Sequence, residues 1–285
     1  MVTDNGTSVL ATGFGLVEAP RWHGGRLYFS DWDAHDVIAL DADGRPEVFA
    51  HVESFPLCTD WLPDGRLLLV SAAEGLLLRR EHDGTLHTHA DLSTAITTGG
   101  WNDIVVDGRG HAYVDNVADA FTGGDPKAGT VVLVTADGTA RQVADGLAFP
   151  NGMAVTQDNA TLIVAESYAN QLTAFDIAPD GSLSRGRVWA ALGDGVPDGI
   201  CVDAENAVWY ADVPNRRCVR VAEGGRVLRT VDLDRGGFAC ALGGPDRRTL
   251  FITAARWLGP PEMVPSGTGQ VLTVRVDVPG TGSPS

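Results

Sequence analysis

Short apolar runs, each bounded by Gly, Asp, Asn or Pro, recur along the whole chain and predict strands. RLYFS from Arg26, RLLLV from Arg66, HAYVD from His111, TLIVA from Thr161, AVWYA from Ala207 and TLFIT from Thr249 are rich in branched and aromatic residues, which suit a pleated, buried surface. Further strands follow in most units, such as DVIALDADG and PEVFAHV after the first run and QLTAFDIAPDG and GRVWAAL after the fourth. Asp43-Gly44, Asp83-Gly84, Asp137-Gly138 and Asp180-Gly181 supply hairpin turns between them. No segment sustains the 3.6-residue period of an amphipathic helix.

The runs belong to a unit that repeats six times. It reads EAPRWHGGRLYFSD from Glu18, CTDWLPDGRLLLVS from Cys58, NDIVVDGRGHAYVD from Asn102, NGMAVTQDNATLIVAE from Asn151, DGICVDAENAVWYA from Asp198 and ACALGGPDRRTLFIT from Ala239. Starts near 18, 58, 102, 151, 198 and 239 give the spacing of propeller blades. Four antiparallel strands per unit make an all-β, six-bladed β-propeller over residues 1–285. The sixth unit ends near Val276 after three strands, and SVLAT, Ser8 to Thr12, supplies the missing outer one. That pairing closes the ring and removes its free edges. Residues 278–285 are expected to be disordered.

Equivalent positions of a closed ring meet at its axis, so the first residue of each unit carries the chemical information. Glu18, Asn102, Asn151 and Asp198 offer side-chain oxygens; Cys58 and Ala239 do not. Asn151-Gly152 and Asp198-Gly199 are common turn dipeptides, and Asn102-Asp103 suits a local cap, so each alone reads as a turn. Two carboxylates and two amides in one phase are harder to explain by turns. Their hard oxygens suit calcium, magnesium or manganese better than a closed zinc site. The Cys58 and Ala239 side is left open for substrate.

Composition narrows the classes. With 37 acidic against 21 basic residues and a net charge of -16, a general nucleic-acid or anionic-membrane surface is excluded. No window approaches a membrane span and no signal peptide is visible, which predicts a cytoplasmic protein. Cys58, Cys201, Cys218 and Cys240 lack any CxxC spacing and read as reduced, structural thiols. His87 and His89 lie on one face of a solvated outer strand. There is no GxSxG elbow, and neither Ser71 nor Ser167 has a histidine in its local sequence.

GLVEAPRW, WNDIVVDGRG, LAFPNGMAV and VPDGICVD resemble the motifs of the senescence marker protein, gluconolactonase and luciferin-regenerating enzyme family, from about Gly13 to Val276. The resemblance implies a divalent cation in the channel, calcium first, with zinc, manganese, magnesium or iron(II) also compatible. It also implies a metal-dependent lactonase-like hydrolase acting on a small-molecule lactone or ester. Glu18, Asn151 and Asp198 would be the metal ligands, Asp198 also the general base, and Asn102 the residue that meets substrate. Other metal-dependent, non-hydrolytic reactions and a purely cation-binding propeller are the alternatives. Family members that open sugar lactones often carry arginine two residues before the third-motif asparagine, where this chain has Gly100. Losing that fork of donors favours a less polar substrate.

Trp101, Asp119, Phe121, Phe149, Tyr168 and Trp257 are expected as pocket walls beside the blade entrances. The stretch from Asp115 to Gly129 reads as a lid over the mouth. Asp60 faces either the channel or a surface turn. Oligomeric state is not legible in the sequence.

Overall fold

The computed structural model describes residues 6–41, 43–97, 99–118, 128–259, 265 and 267–282. The apolar runs pair into six four-stranded antiparallel sheets. The inner strands are Val17–His23, Leu57–Trp61, Trp101–Val106, Pro150–Val155, Pro197–Val202 and Gly236–Gly243. Each packs on the inner strands of both neighbouring blades, including the first against the sixth, so the ring closes into a six-bladed propeller. The second strands are buried on both faces; Leu67, Leu68, Leu69 and Val70 are all inaccessible to solvent. Such a strand needs a continuous apolar run, which is why these segments show no strict alternation.

The N-terminal strand Ser8–Phe14 is the outer strand of blade 6, with Ser8 opposite Thr273 and Phe14 opposite Gly269. Among the described residues, helix is limited to single 3-10 turns at Leu92–Thr94 and Ser167–Ala169. No helix there is long and apolar enough to cross a membrane. All four cysteines are buried and free of disulfides, with Cys201 Sγ 3.8 Å from Cys240 Sγ.

One expectation needs correction at the C-terminus. Gly280 bridges Asp203, Pro279 O accepts from Ala204 N at 2.9 Å, and Gly280 N donates to Arg247 O at 2.9 Å. The segment through Gly282 is therefore laid against blades 5 and 6 where disorder was expected. A glycine- and proline-rich tail offers little side-chain signal for this, because it is held through its own backbone groups. Residues 283–285 lie outside the described residues.

The polar residue that ends most second strands has a structural task. Asp31 accepts from Gly15 N at 3.1 Å, Glu166 from Ala148 N at 2.7 Å and Asp212 from Val196 N at 3.3 Å. Each ties down the loop that leads into its own blade's inner strand, satisfying a backbone donor that the fold would otherwise bury without a partner.

Candidate functional site

The four oxygen-bearing residues sit at β-bulges. The register of inner and second strands slips between Glu18 and Arg21, Trp101 and Ile104, Pro150 and Met153, and Pro197 and Ile200. Blade 2, with Cys58, pairs without a slip. A bulge adds one residue to a strand and re-aims a side chain, here toward the axis.

The glycines after Asn151 and Asp198 serve this geometry and are not turn residues. A Cβ on Gly152 would lie 2.6 Å from Asp198 O, and one on Gly199 would lie 2.2 Å from Ala239 Cβ. Only bare backbone lets the bulges of blades 4, 5 and 6 approach so closely. Gly199→Ala should therefore destabilise by about 1–3 kcal/mol through overpacking. Thermal unfolding several degrees below wild type is the expected reading, and an unchanged midpoint would mean that blade 6 yields at no cost.

The bulges surround an enclosed space of about 10 Å³, enough for one water or bare cation. Glu18, Asn102, Asn151, Gly199 and Ala239 line it, with Trp32, Arg21, Asp103 and Cys58. Asn102 Nδ2 donates to Asn151 Oδ1 at 3.3 Å, and Asn151 Nδ2 donates to Ser167 Oγ at 3.4 Å. Ser167 Oγ in turn donates to Pro197 O at 2.7 Å, which joins the Asn151 bulge to the strand that presents Asp198.

Electrostatics sets this cluster apart. Burial pushes the Glu18 carboxyl up to about 8, against the opposing pull of its bond from Ala19 N. Asp198 is raised well above the usual carboxylate range, by burial first and then by repulsion from Glu18. Asp103 and Asp115 behind them are raised too, again chiefly by burial. Crowded carboxylates of this kind mark a site where a positive charge belongs. Among the described residues no three His, Cys, Asp or Glu side chains form a ready ligand group. The donors that do converge are two carboxylates and two amides, all hard oxygens, and this set fits a divalent cation with open positions.

Arg21, which sequence reasoning passed over, closes the floor of the site. It reaches across the channel from blade 1, with Nη2 donating to Ile104 O at 2.7 Å and lying 3.4 Å from Asp103 Oδ1, and Nε 3.5 Å from Asp60 Oδ1. It lines both the small space and a second chamber of about 400 Å³ at the opposite end of the channel. Asp60 thus faces inward; its Oδ2 accepts from Val106 N at 2.7 Å. The bulge explains why Arg21 was missed, because one extra residue breaks the alternation by which inward positions are counted.

The expected pocket walls divide. Trp101 is only 2% exposed and belongs to the core, where its Nε1 lies close over Gly75, so it is no wall. Phe149 packs on Tyr168 with ring centroids 4.6 Å apart, and Trp257 meets Phe238 edge-on at 6.1 Å. Trp32, not anticipated, lines the small space and donates from Nε1 to Leu57 O at 2.8 Å. Asp119 and Phe121, and with them most of the expected lid, lie outside the described residues. Gly100 adopts φ +99°, and a Cβ there would fall 1.8 Å from Ala118 O, so the backbone at that position accepts no side chain at all.

Known proteins share this architecture. The chain is 28% identical to a pentonolactonase of Haloferax volcanii, over 98% of this chain and 96% of the relative. It is 27% identical to a 6-deoxy-6-sulfogluconolactonase of Pseudomonas putida, over 76% and 75% respectively. The solved luciferin-regenerating enzyme superposes with a TM-score of 0.83 at 20% identity, covering 96% of both chains. A calcium-binding regucalcin from Agrobacterium tumefaciens gives 0.80 at 20% identity, covering 95% of this chain and 94% of that one. With residues 16–256 matched by the family's model, the chain belongs to the SMP-30/gluconolactonase/LRE-like family.

Proposed function

We propose that the protein is a divalent-cation-dependent hydrolase that opens a lactone or a related ester. The observation that carries this reading is the convergence of Glu18, Asn102 and Asn151, from three blades, on one small space, with Asp198 of a fourth blade bonded to Asn151 and repelled by Glu18, and with both carboxyls raised. Relatives named pentonolactonase, 6-deoxy-6-sulfogluconolactonase and L-arabinolactonase support the reaction class. Glu18, Asn151 and Asp198 hold the cation, with calcium the first candidate. When bound, it polarises the substrate carbonyl and offsets charge developing on the carbonyl oxygen.

The chain's own groups do the rest. Asp198 takes the proton of the attacking water. Asn102 orients the substrate, and Ser167 holds Asn151 in place. Trp32 and the open blade 2 and blade 6 side admit the lactone. Acid release in a pH-stat, on a lactone panel with calcium, zinc, manganese, magnesium or iron(II), tests the reaction. Full turnover after exhaustive chelation overturns the metal dependence, and a changed product mass without acid release points to a non-hydrolytic reaction.

Cation binding should expel a proton. Glu18 titrates at about 8 in the cation-free fold against 4.5 in the unfolded chain. Its raised value stabilises the cation-free protein below pH 4.5, and that contribution is lost as pH rises through 8. A bound cation requires both Glu18 and Asp198 as carboxylates, and both are raised in the cation-free fold, so near pH 7 at least one proton should leave per cation bound, and affinity should climb with pH through about 8. Calorimetric titration in buffers of differing ionisation enthalpy measures this; buffer-independent heats would contradict it.

A further inference from the structure

Phe149 occupies a backbone conformation that its side chain disfavours. Its φ is +56°, in the left-handed region where glycine sits without strain and a bulky residue is an outlier. The conformation is held from several sides: Ser167 N donates to Phe149 O at 3.1 Å, Tyr168 N to Ala148 O at 3.1 Å, and Ala148 N to Glu166 Oε2 at 2.7 Å. A glycine would serve this turn at least as well. Retained backbone strain of this kind points from geometry toward function.

Phe149 is half-buried, and the ring it packs on, Tyr168, is 60% exposed. The two rings stand at the blade 4 entrance next to the donors: Phe149 is two residues before Asn151, and Tyr168 follows Ser167, the residue bonded to Asn151 Nδ2. The polar side chains around them are committed elsewhere. Ser167 Oγ donates to Pro197 O and Asn170 Nδ2 to Gly195 O, while Glu166 accepts from Ala148 N and Gln171 Nε2.

We propose that Phe149 and Tyr168 form a specificity platform for a flat apolar substituent, so that the preferred substrate is an aryl- or alkyl-substituted lactone or ester and not a polyhydroxylated one. This deepens the hydrolase reading and rests on it for the scissile group. Aromatic faces attract flat apolar groups, whereas a polyol needs hydrogen-bonding groups that this patch has tied to the fold.

Three probes decide it: γ-phenyl-γ-butyrolactone, unsubstituted γ-butyrolactone and L-arabinono-1,4-lactone, each with calcium-loaded protein. Wild type should favour the phenyl lactone by at least tenfold in kcat/KM over the other two. Phe149→Gly, which relieves the backbone, should melt within a few degrees of wild type while the phenyl-over-unsubstituted preference falls about tenfold, chiefly through KM. Tyr168→Ala should shift the ratio the same way. A wild-type preference for the arabinonolactone, or a ratio unmoved in both variants, overturns the proposal. If no lactone turns over, the hydrolase reading fails by itself, and calorimetric binding of the phenyl lactone then tests the platform: tenfold weaker binding to Phe149→Gly supports it, and equal binding overturns it.

Discussion

Asp198→Asn is expected to lower kcat/KM by roughly a thousandfold or more, equivalent to about 4 kcal/mol of transition-state stabilisation. The substitution keeps the volume of the side chain and, under the proposed function, removes two things at once: a charged donor to the cation and the base that takes the water's proton. It also removes a source of repulsion, since Glu18 is one cause of Asp198's raised carboxyl. The cation-free variant should consequently be at least as thermostable as cation-free wild type at pH 8, where Glu18 is about half ionised. Lost turnover, lost cation binding and undiminished stability together separate a site residue from a structural one. Glu18→Gln should behave alike for the cation, but with a smaller effect on proton transfer. Wild-type turnover in Asp198→Asn would remove this residue from the chemistry altogether.

The sequence made the ring legible because every blade repeats one arrangement: an apolar second strand buried on both faces, and an inner-strand residue in constant phase. Closure by Ser8–Phe14 could be read from the missing fourth strand of the last unit. The four candidate positions stood out for the same reason, since Glu18, Asn102, Asn151 and Asp198 share a register that strand pairing preserves.

What escaped was set by distances between blades, which a local pattern does not carry. Gly152 and Gly199 look like turn residues until the neighbouring strand is placed 2–3 Å from where a Cβ would be. Trp101, next to a donor, resembles a pocket wall, yet the bulge turns Asn102 inward and leaves the indole in the core. Arg21, Asp60 and Asp103 lie in three different blades, and only closure of the ring makes them partners. The order of the C-terminal segment likewise depends on backbone partners that no side chain announces.

Arg21→Met should be the most destabilising single substitution in the channel, by about 3–5 kcal/mol, because it strands buried carboxylates without their cation. Asp60 is almost wholly buried, and Asp103 is held down by Arg21 against the upward push of burial. Without the guanidinium, the Asp103 carboxyl should rise further in the folded state. A raised folded value means stability that is present at low pH and lost as pH increases. The melting deficit relative to wild type should therefore be largest near pH 8 and shrink toward pH 5, and adding Asp60→Asn to Arg21→Met should recover part of it. A deficit that is flat with pH would show instead that the aliphatic stem and the bond to Ile104 O carry the effect. Either component reaches the donors, because Ile104 follows the bulge that presents Asn102 to the cavity. Arg21 thus sets both the charge beneath the candidate site and the position of the strand that presents Asn102.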